Sequence, residues 1–591
     1  MPSLLRISVV TALLGAAAVL LVDLGTAHSQ APVKGPAVYP LKDIRPGMKI
    51  NGESVFTNQG LEPFTGEVLA VMPDFLAPSE DLVLVKLTGP AMDRYGVVSG
   101  MSGSPVYIDG KLVGAVSYRF GSFPREPIAG VTPAESMLAI LNKTVTTSKP
   151  RTSFAPRATP WGDIRPIETP MVCGGCSDEV LAHFGPRMEK LGLSPVRGSA
   201  QSSPQRFKMF PGGPIAGVLV DGDVSMMALG TITYMNGDDV LAFGHPFMGG
   251  GSAEMPMASA EVYATIPSLS GSAKLGRSGA VVGALTDDRL SAIAGKLGAV
   301  ARTVPFHVAI EKANGMDART DLTFRVVDDI GVGAALSDLS VANAVINRLG
   351  FESVGSVTVR GKVTLERGTA INFDETFSGV PNRNPTFGAS TLVGDVMEAL
   401  WRNPFERVRV KGVDLRITHS EAPQVGALVN TTVDQTRVRA GQPFRVNLQV
   451  RTHRQGLKTF AVDVPTSVAQ EPGFYSLAVL DQSTAEKMDV EASNARYPQS
   501  LPDVIRDLQQ RRRNDRLYVY FLDRVKGQRV QGAPMAELPP SMLAILGEGQ
   551  EGSHSRKFPR RTLAVMEVDP GVMVSGESEI NVEILTPRSP R

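Results

Sequence analysis

Cysteine is almost absent from this chain: 591 residues contain two, Cys173 and Cys176, in the tetrad Cys-Gly-Gly-Cys. A zinc site needs more ligands than this pair and the nearby His183 supply. A thioredoxin-like redox role needs a surrounding βαβ pattern, and none is legible. The expectation is a local disulfide that closes a loop in an oxidising compartment. Net charge is almost absent as well, with 60 basic against 59 acidic residues. The chain therefore carries no basic field for nucleic acid and no acidic field for cations. Beyond one N-terminal run, no stretch approaches the length of a membrane span. Charged residues are sparse, while 59 Gly, 43 Pro and many β-branched residues give a mainly β, turn-rich character.

The N-terminal run reads as an export signal. Arg6 supplies the positive region, Ile7 to Val22 is apolar, and Asp23 ends it. Ala27 and Ser29, or Ser29 and Ala31, offer small residues for cleavage. Residues 1–30 are then a signal peptide, and the mature protein has no integral membrane span and works in the periplasm, the cell envelope or the medium. An uncleaved anchor is the other reading of the same run.

The length allows about three to five domains. Residues 31–144 alternate short strands with turns: Glu67 to Val71, Leu82 to Leu87, Ser104 to Ile108 and Leu112 to Tyr118, then a helix from Pro133 to Asn142 with Thr132 as N-cap. Residues 145–213 form a polar, Pro-rich connection with the cysteine pair and a helix from Asp178 to Leu191. Residues 214–310 are a second strand-rich block. Residues 311–424 form an α+β segment with helices near Ser337 to Leu349 and Ser390 to Trp401. From 425 to 591, clean in/out alternation over Phe444 to Val450 and Ser578 to Leu585 points to an Ig-like β-sandwich with a helical insertion around Leu501 to Arg513. The run Arg511-Arg512-Arg513 has two readings, an anion patch or cations at a solvated helix end.

The segment Gly100-Met101-Ser102-Gly103-Ser104-Pro105 carries the most chemistry. It is a tight glycine-flanked turn leading into a strand, an Asp109-Gly110 hairpin turn and a second strand. Glycine beside a serine lets backbone approach a scissile carbonyl and lets N–H groups face a developing oxyanion. Ser102 is the candidate nucleophile, and the Gly100 and Ser102 amides are the candidate oxyanion hole. A serine in such a turn is also an ordinary turn former. A nucleophilic serine needs a base, and seven histidines occur. His28 leaves with the signal. His183, His307, His419, His453 and His554 lie in helix, strand or polar-turn contexts that suit structural or solvated roles. His245 differs: it follows the apolar run Val240 to Phe243 in Gly244-His245-Pro246, a turn that fixes the ring at a strand end, where it can meet a serine from another barrel.

Gly100 to Val116 resembles the nucleophile segment of the SpoIVB-type serine peptidase family, and Leu241-Ala242-Phe243-Gly244-His245 is similar to that family's histidine segment. The likeness spans roughly residues 40–310. It implies a chymotrypsin-like two-barrel fold, acyl transfer through a Ser-His-Asp triad, no metal or organic cofactor, and a protein or peptide substrate, including a segment of this same chain. The order is exchanged: here Ser102 precedes His245 by 143 positions, whereas the family's histidine segment comes first. Triad geometry tolerates different chain orders. No PDZ-like segment is recognisable, which argues against the family's sporulation role. At the spacing of the family's Asp this chain has Leu87 and Thr88, so Asp93 is the nearest substitute. Asp238, Asp239, Asp287 and Asp288 are the other residues considered for orienting the imidazole. The rival reading is a catalytically inactive envelope scaffold on a degenerate peptidase fold, with the C-terminal sandwich binding an envelope protein.

Overall fold

The computed structural model describes residues 37–586, apart from 122–124, 143–156, 160–161, 199–202, 250, 270, 316–318, 352–354, 380–383, 493–497, 524–526, 531–532, 536–538, 540, 543–554 and 559. The export signal, His28, His554 and part of the 145–213 connection lie outside the described residues. The chain is mainly β and contains several sheets. No described helix is long and apolar enough to cross a membrane.

Strands β1 (Lys49–Thr57), β2 (Gly60–Ala77), β3 (Glu80–Thr88), β4 (Pro105–Ile108), β5 (Lys111–Phe120) and β6 (Ile128–Pro133) pair in the order β1-β2-β3-β6-β5-β4, and β4 pairs back onto β1. Such a ring leaves no open edge. Inward residues of every strand, among them Phe56, Phe64, Val85, Val106, Val116 and Val131, form its core. Asp109 and Gly110 both take positive φ, 49° and 73°, the mirror-image turn whose twist suits a two-residue hairpin. Helix α1 (Pro90–Tyr95) lies between β3 and β4, and α2 (Ala134–Leu141) follows β6. Thr132 does not cap α2. Pro133 occupies that position without a side-chain bond, and the Thr132 hydroxyl goes to the Gly244 carbonyl at 2.6 Å.

The 145–213 stretch is more than a connection. Within it β7 (Arg157–Thr159) pairs with β8 (Gly162–Pro166), which extends the first sheet at β5. Then β9 (Thr169–Gly174) and β10 (Leu193–Gly198) run parallel around α3 (Asp178–Lys190), whose first turn is capped by the Ser177 hydroxyl. Cys173 and Cys176 are joined as a disulfide between the end of β9 and the start of α3. This is the loop staple expected from the sequence.

A second ring repeats the first. Strands β11 (Pro214–Gly222), β12 (Ser225–Asn236), β13 (Asp239–Ala242), β14 (Gly251–Ile266), β15 (Ala273–Asp288) and β16 (Ile293–Leu297) pair as β11-β12-β13-β16-β15-β14 and back to β11. Numbered within each ring, the two orders are identical. The sheet then continues through β18 (Thr320–Val327), β17 (Thr303–Lys312), β21 (Val410–Ser420), β19 (Ser356–Leu365) and β20 (Ala370–Ser378). Helices α4 (Gly333–Leu349) and α5 (Pro385–Trp401) share one apolar core with this sheet and the second ring. The 311–424 segment is therefore an outgrowth of the second ring's sheet, a pairing that local sequence does not reveal.

Past residue 424, β25 (Gly456–Val464), β24 (Phe444–Thr452), β22 (Val425–Val433) and β32 (Met573–Ser575) make one sheet. A second comprises β23 (Arg437–Arg439), β33 (Ser578–Leu585), β26 (Gly473–Leu480), β27 (Leu517–Asp523) and β31 (Arg561–Val568). A common core takes residues from both. Along β24, Phe444, Val446, Leu448 and Val450 are buried in strict alternation, as their pattern predicts. Helices α6 (Gln482–Ala492) and α7 (Leu501–Gln509) are inserted between β26 and β27, and a small sheet of β28 (Gly527–Val530), β29 (Ala533–Met535) and β30 (Ser555–Phe558) lies between β27 and β31.

The arginine run is neither a free anion patch nor a solvated helix end. Arg511 pairs with Glu375 at 3.0 Å, Arg512 with Asp489 at 2.9 Å while lying over the Tyr518 ring, and Arg513 with Asp515 and Asp374. Beside them, the Asn514 amide accepts from the Thr376 N–H at 3.0 Å and donates to the Thr376 carbonyl at 2.8 Å. One side chain thus satisfies both backbone groups on the outer edge of β20. Asn514→Ala leaves both groups buried and unpaired, at about 1–3 kcal/mol for each. The expected outcome is a clear drop in urea midpoint, whereas an effect below about 0.5 kcal/mol would refute the bridge.

Candidate functional site

The Ser102 turn occupies the third-to-fourth strand connection of the first ring, and the His245 turn occupies the same connection of the second. The two rings meet where these turns meet. Gly103, at φ +98°, lies so close to the second ring that a Cβ there would stand 2.0 Å from the Thr231 carbonyl oxygen and 2.5 Å from the Phe243 nitrogen. Only glycine fits both the dihedral and the gap. The Ser102 carbonyl accepts from the Thr231 N–H at 3.0 Å, and the Thr233 hydroxyl donates to the Gly103 carbonyl at 2.7 Å. Thr233 sits where the β12–β13 register shifts, a bulge of the kind that re-aims a side chain.

The histidine turn is strained and held. Phe243 is a buried non-glycine residue at φ +68°, followed by Gly244 at +69°. A left-handed conformation costs an L-residue roughly 1–2 kcal/mol, so surrounding contacts must impose it. The Phe243 N–H reaches the Thr231 carbonyl at 3.2 Å, its ring packs on Phe247 and against Gly230, and Thr132 holds the Gly244 carbonyl. Beyond His245, the Asp288 carboxylate accepts from the Phe247, Met248 and Gly249 amides at 2.6–2.7 Å.

His245 is 2 % exposed, and its Nδ1 lies 2.8 Å from the Pro246 carbonyl oxygen. A carbonyl only accepts, so Nδ1 carries the proton and Nε2 presents its lone pair. That Nε2 is buried with no hydrogen-bond partner, and the same holds for Ser102 Oγ. The two atoms do not bond each other in this state, and Ser102 is wholly shielded from solvent. Burial pulls the His245 pKa down to about 4, against a smaller upward effect of the Pro246 carbonyl. The ring is neutral near pH 7 and can accept a proton.

The amides of Gly100 and Ser102 make no hydrogen bond among the described residues. In a trans peptide the N–H points opposite the preceding carbonyl. The Ser99 carbonyl accepts from the Lys274 N–H, and the Met101 carbonyl accepts from Ser104, so both candidate oxyanion donors lie on anchored peptide planes.

The carboxylates proposed from sequence are not brought to the imidazole. Asp93 is exposed on α1 and makes no side-chain bond among the described residues. Asp238 is exposed in the β12–β13 turn, and Asp239 begins β13 at the end away from His245. Asp287 is held by Arg289 at 2.8 Å. Its neighbour Asp288, which faces the opposite side of the strand, is the acid that fixes the histidine loop through backbone amides. Of the other histidines, His183 stacks on Phe387 and His307 bonds Asp321. Sequence reasoning passed over Lys274, Ser54 and Thr231. Lys274 is fully buried, with Nζ 2.9 Å from Ser54 Oγ and 3.1 Å from Thr231 Oγ1. Burial lowers its pKa to about 7, opposed by Glu62. A cavity of about 610 Å³ lies elsewhere, beside β19–β21 and α7, and its arginines, Arg416 and Arg511 among them, are paired with carboxylates.

No protein-family model, curated protein or solved structure matches this chain.

Two outcomes follow from this geometry. Gly103→Ala forces the two rings apart at the site and should cost more than about 3 kcal/mol; a thermal midpoint within 2–3 °C of wild type would contradict the close approach (about 1 kcal/mol). For His245 the folded pKa lies below the unfolded value of about 6.5, so the unfolded chain binds more protons between pH 6.5 and 4. Stability is lost as pH falls through that window, by about 2–3 kcal/mol at pH 4.5. Urea midpoints of His245→Gln should show a correspondingly smaller acid loss than wild type; parallel pH profiles would refute the buried neutral ring.

Proposed function

We propose that this chain is an exported serine endopeptidase of the SpoIVB type, with the two strand rings as chymotrypsin-like barrels and the C-terminal pair of sheets as an Ig-like module for an envelope partner. One observation carries the reading. Two turns 143 positions apart in sequence are packed together, and at their junction a serine hydroxyl and an imidazole nitrogen are each buried without a partner. A buried polar atom left unpaired costs about 1–3 kcal/mol, which a merely structural serine or histidine would avoid by bonding a neighbour.

In the reaction, Ser102 Oγ attacks the peptide carbonyl and its proton passes to His245 Nε2. The imidazolium then gives that proton to the leaving amine, and water hydrolyses the acyl-enzyme by the reverse sequence. The Gly100 and Ser102 amides receive the oxyanion, and each such donor contributes about 2.7–4 kcal/mol to the transition state. Asp288 has the role of holding the histidine loop. Because Ser102 is shielded, substrate entry requires the covering segments to move. The substrate is a protein or peptide, a segment of this chain included.

The inactive scaffold has one observation in its favour: among the described residues no carboxylate bonds His245 Nδ1, which is satisfied by the Pro246 carbonyl. Covalent labelling of the purified mature protein by a fluorophosphonate separates the two readings. Peptidase function predicts a single adduct on Ser102, absent in Ser102→Ala and at least 100-fold slower in His245→Ala. No adduct, or equal labelling of Ser102→Ala, favours the scaffold.

A further inference from the structure

Lys274 belongs to β15 of the second ring, yet three of its hydrogen bonds converge on the serine turn of the first. Its backbone N–H holds the Ser99 carbonyl at 3.0 Å. Its Nζ donates to Thr231 Oγ1, and that hydroxyl donates to the Gly100 carbonyl at 2.9 Å. Nζ also donates to Ser54 Oγ, which lies 2.8 Å from Ser104 Oγ, and Ser104 Oγ is 2.6 Å from the Met101 carbonyl. The lysine stem packs on Gly100, where a Cβ would meet Lys274 Cβ at 3.4 Å, and the ammonium lies 5.4 Å over the Phe56 ring.

We infer that Lys274 is the positioning residue of the oxyanion hole, acting through two hydroxyl relays, Thr231 to the Gly100 carbonyl and Ser54–Ser104 to the Met101 carbonyl. This rests on the peptidase reading of Ser102. The physical argument is planarity. Each peptide unit is a rigid plate, so a bond to one edge sets the direction of the other. Fixing the Ser99 and Met101 carbonyls sets the Gly100 and Ser102 N–H groups on the opposite edges of the same two plates. Binding the Gly100 carbonyl fixes the plate between these two. A buried ammonium costs several kcal/mol to desolvate, and lysine is seldom fully buried unless paired. Among the described residues no carboxylate forms an ion pair with this one, and Glu62 acts on it only through its charge; its contacts are two hydroxyls and an aromatic face. Such an expensive arrangement is explained by what the relays hold. The cation also adds a favourable field at the site of a developing oxyanion.

The test separates maximal inactivation rate from inhibitor affinity for a fluorophosphonate, because the phosphoryl oxygen enters the oxyanion hole only as the bond to Ser102 forms. Thr231→Val removes one relay without disturbing the backbone bonds of β12, while Thr231→Ser keeps the hydroxyl. The expected result is a maximal rate at least tenfold lower in Thr231→Val and in Lys274→Met, unchanged inhibitor affinity, and recovery in Thr231→Ser. Wild-type rates in Thr231→Val overturn the inference while leaving the peptidase reading intact, and so do equal losses in Thr231→Val and Thr231→Ser. If Lys274→Met does not fold, the Thr231 pair still decides. Failure of the wild-type protein to label at Ser102 overturns both proposals together.

Discussion

The site depends on the backbone and side chain of one residue, Thr231. Its N–H binds the Ser102 carbonyl, its carbonyl receives the Phe243 N–H, and its hydroxyl stands between Lys274 and Gly100. The serine turn and the histidine turn are therefore not fixed independently on two strand rings that happen to touch. Both are hydrogen-bonded to the same residue of β12. Gly103 makes this possible, because any side chain there would separate the serine turn from that strand. A shift of β12 relative to the first ring would move both candidate groups at once.

Burial sets the chemistry of the pair. Near pH 7 desolvation keeps His245 neutral, and the Pro246 carbonyl fixes which nitrogen carries the proton. The same carbonyl leaves Nδ1 without the carboxylate that would stabilise an imidazolium. A base with a depressed pKa accepts a proton less readily, so in the closed state the ring is correctly oriented but weak. Lys274 makes the complementary contribution. Its hydroxyl contacts reach the Gly100 and Met101 carbonyls of the serine turn, and burial lowers its pKa to about 7, so near neutral pH it is poised between ammonium and amine.

Much of the local structure was legible because it is set by local rules. The Asp109-Gly110 hairpin, the helix from Asp178, the alternation of β24 and the cysteine staple all follow from dihedral preference, period or compartment. What escaped is tertiary. A lysine at position 274 reads as a surface residue until the register of β15 against Ser99 places it inside. Thr132 reads as a helix cap, but its hydroxyl is taken by Gly244 across the inter-ring contact. Arg511 looks solvated because its partner Glu375 is 136 positions away, and Arg513 also reaches Asp374, 139 positions away. Asp287 and Asp288 differ only in which face of β15 they occupy, and no local signal chooses between them.

The two candidate turns occupy equivalent places in the two rings. Both rings close in the same strand order, and each candidate turn occupies the same connection of its own ring. Two halves with equivalent topology present equivalent ends to each other, so which half carries the serine and which the histidine does not alter the junction. Ring closure also explains the place of Asp288. Ile293 of β16 pairs with Ala242 on one side and with Asp288 on the other, so the last residue of β15 stands two strands from the residue where the histidine turn begins. The acid next to the imidazole loop is thus supplied by the ring that carries the histidine. Asp93, just ahead of the serine, belongs to the other ring and is exposed on α1.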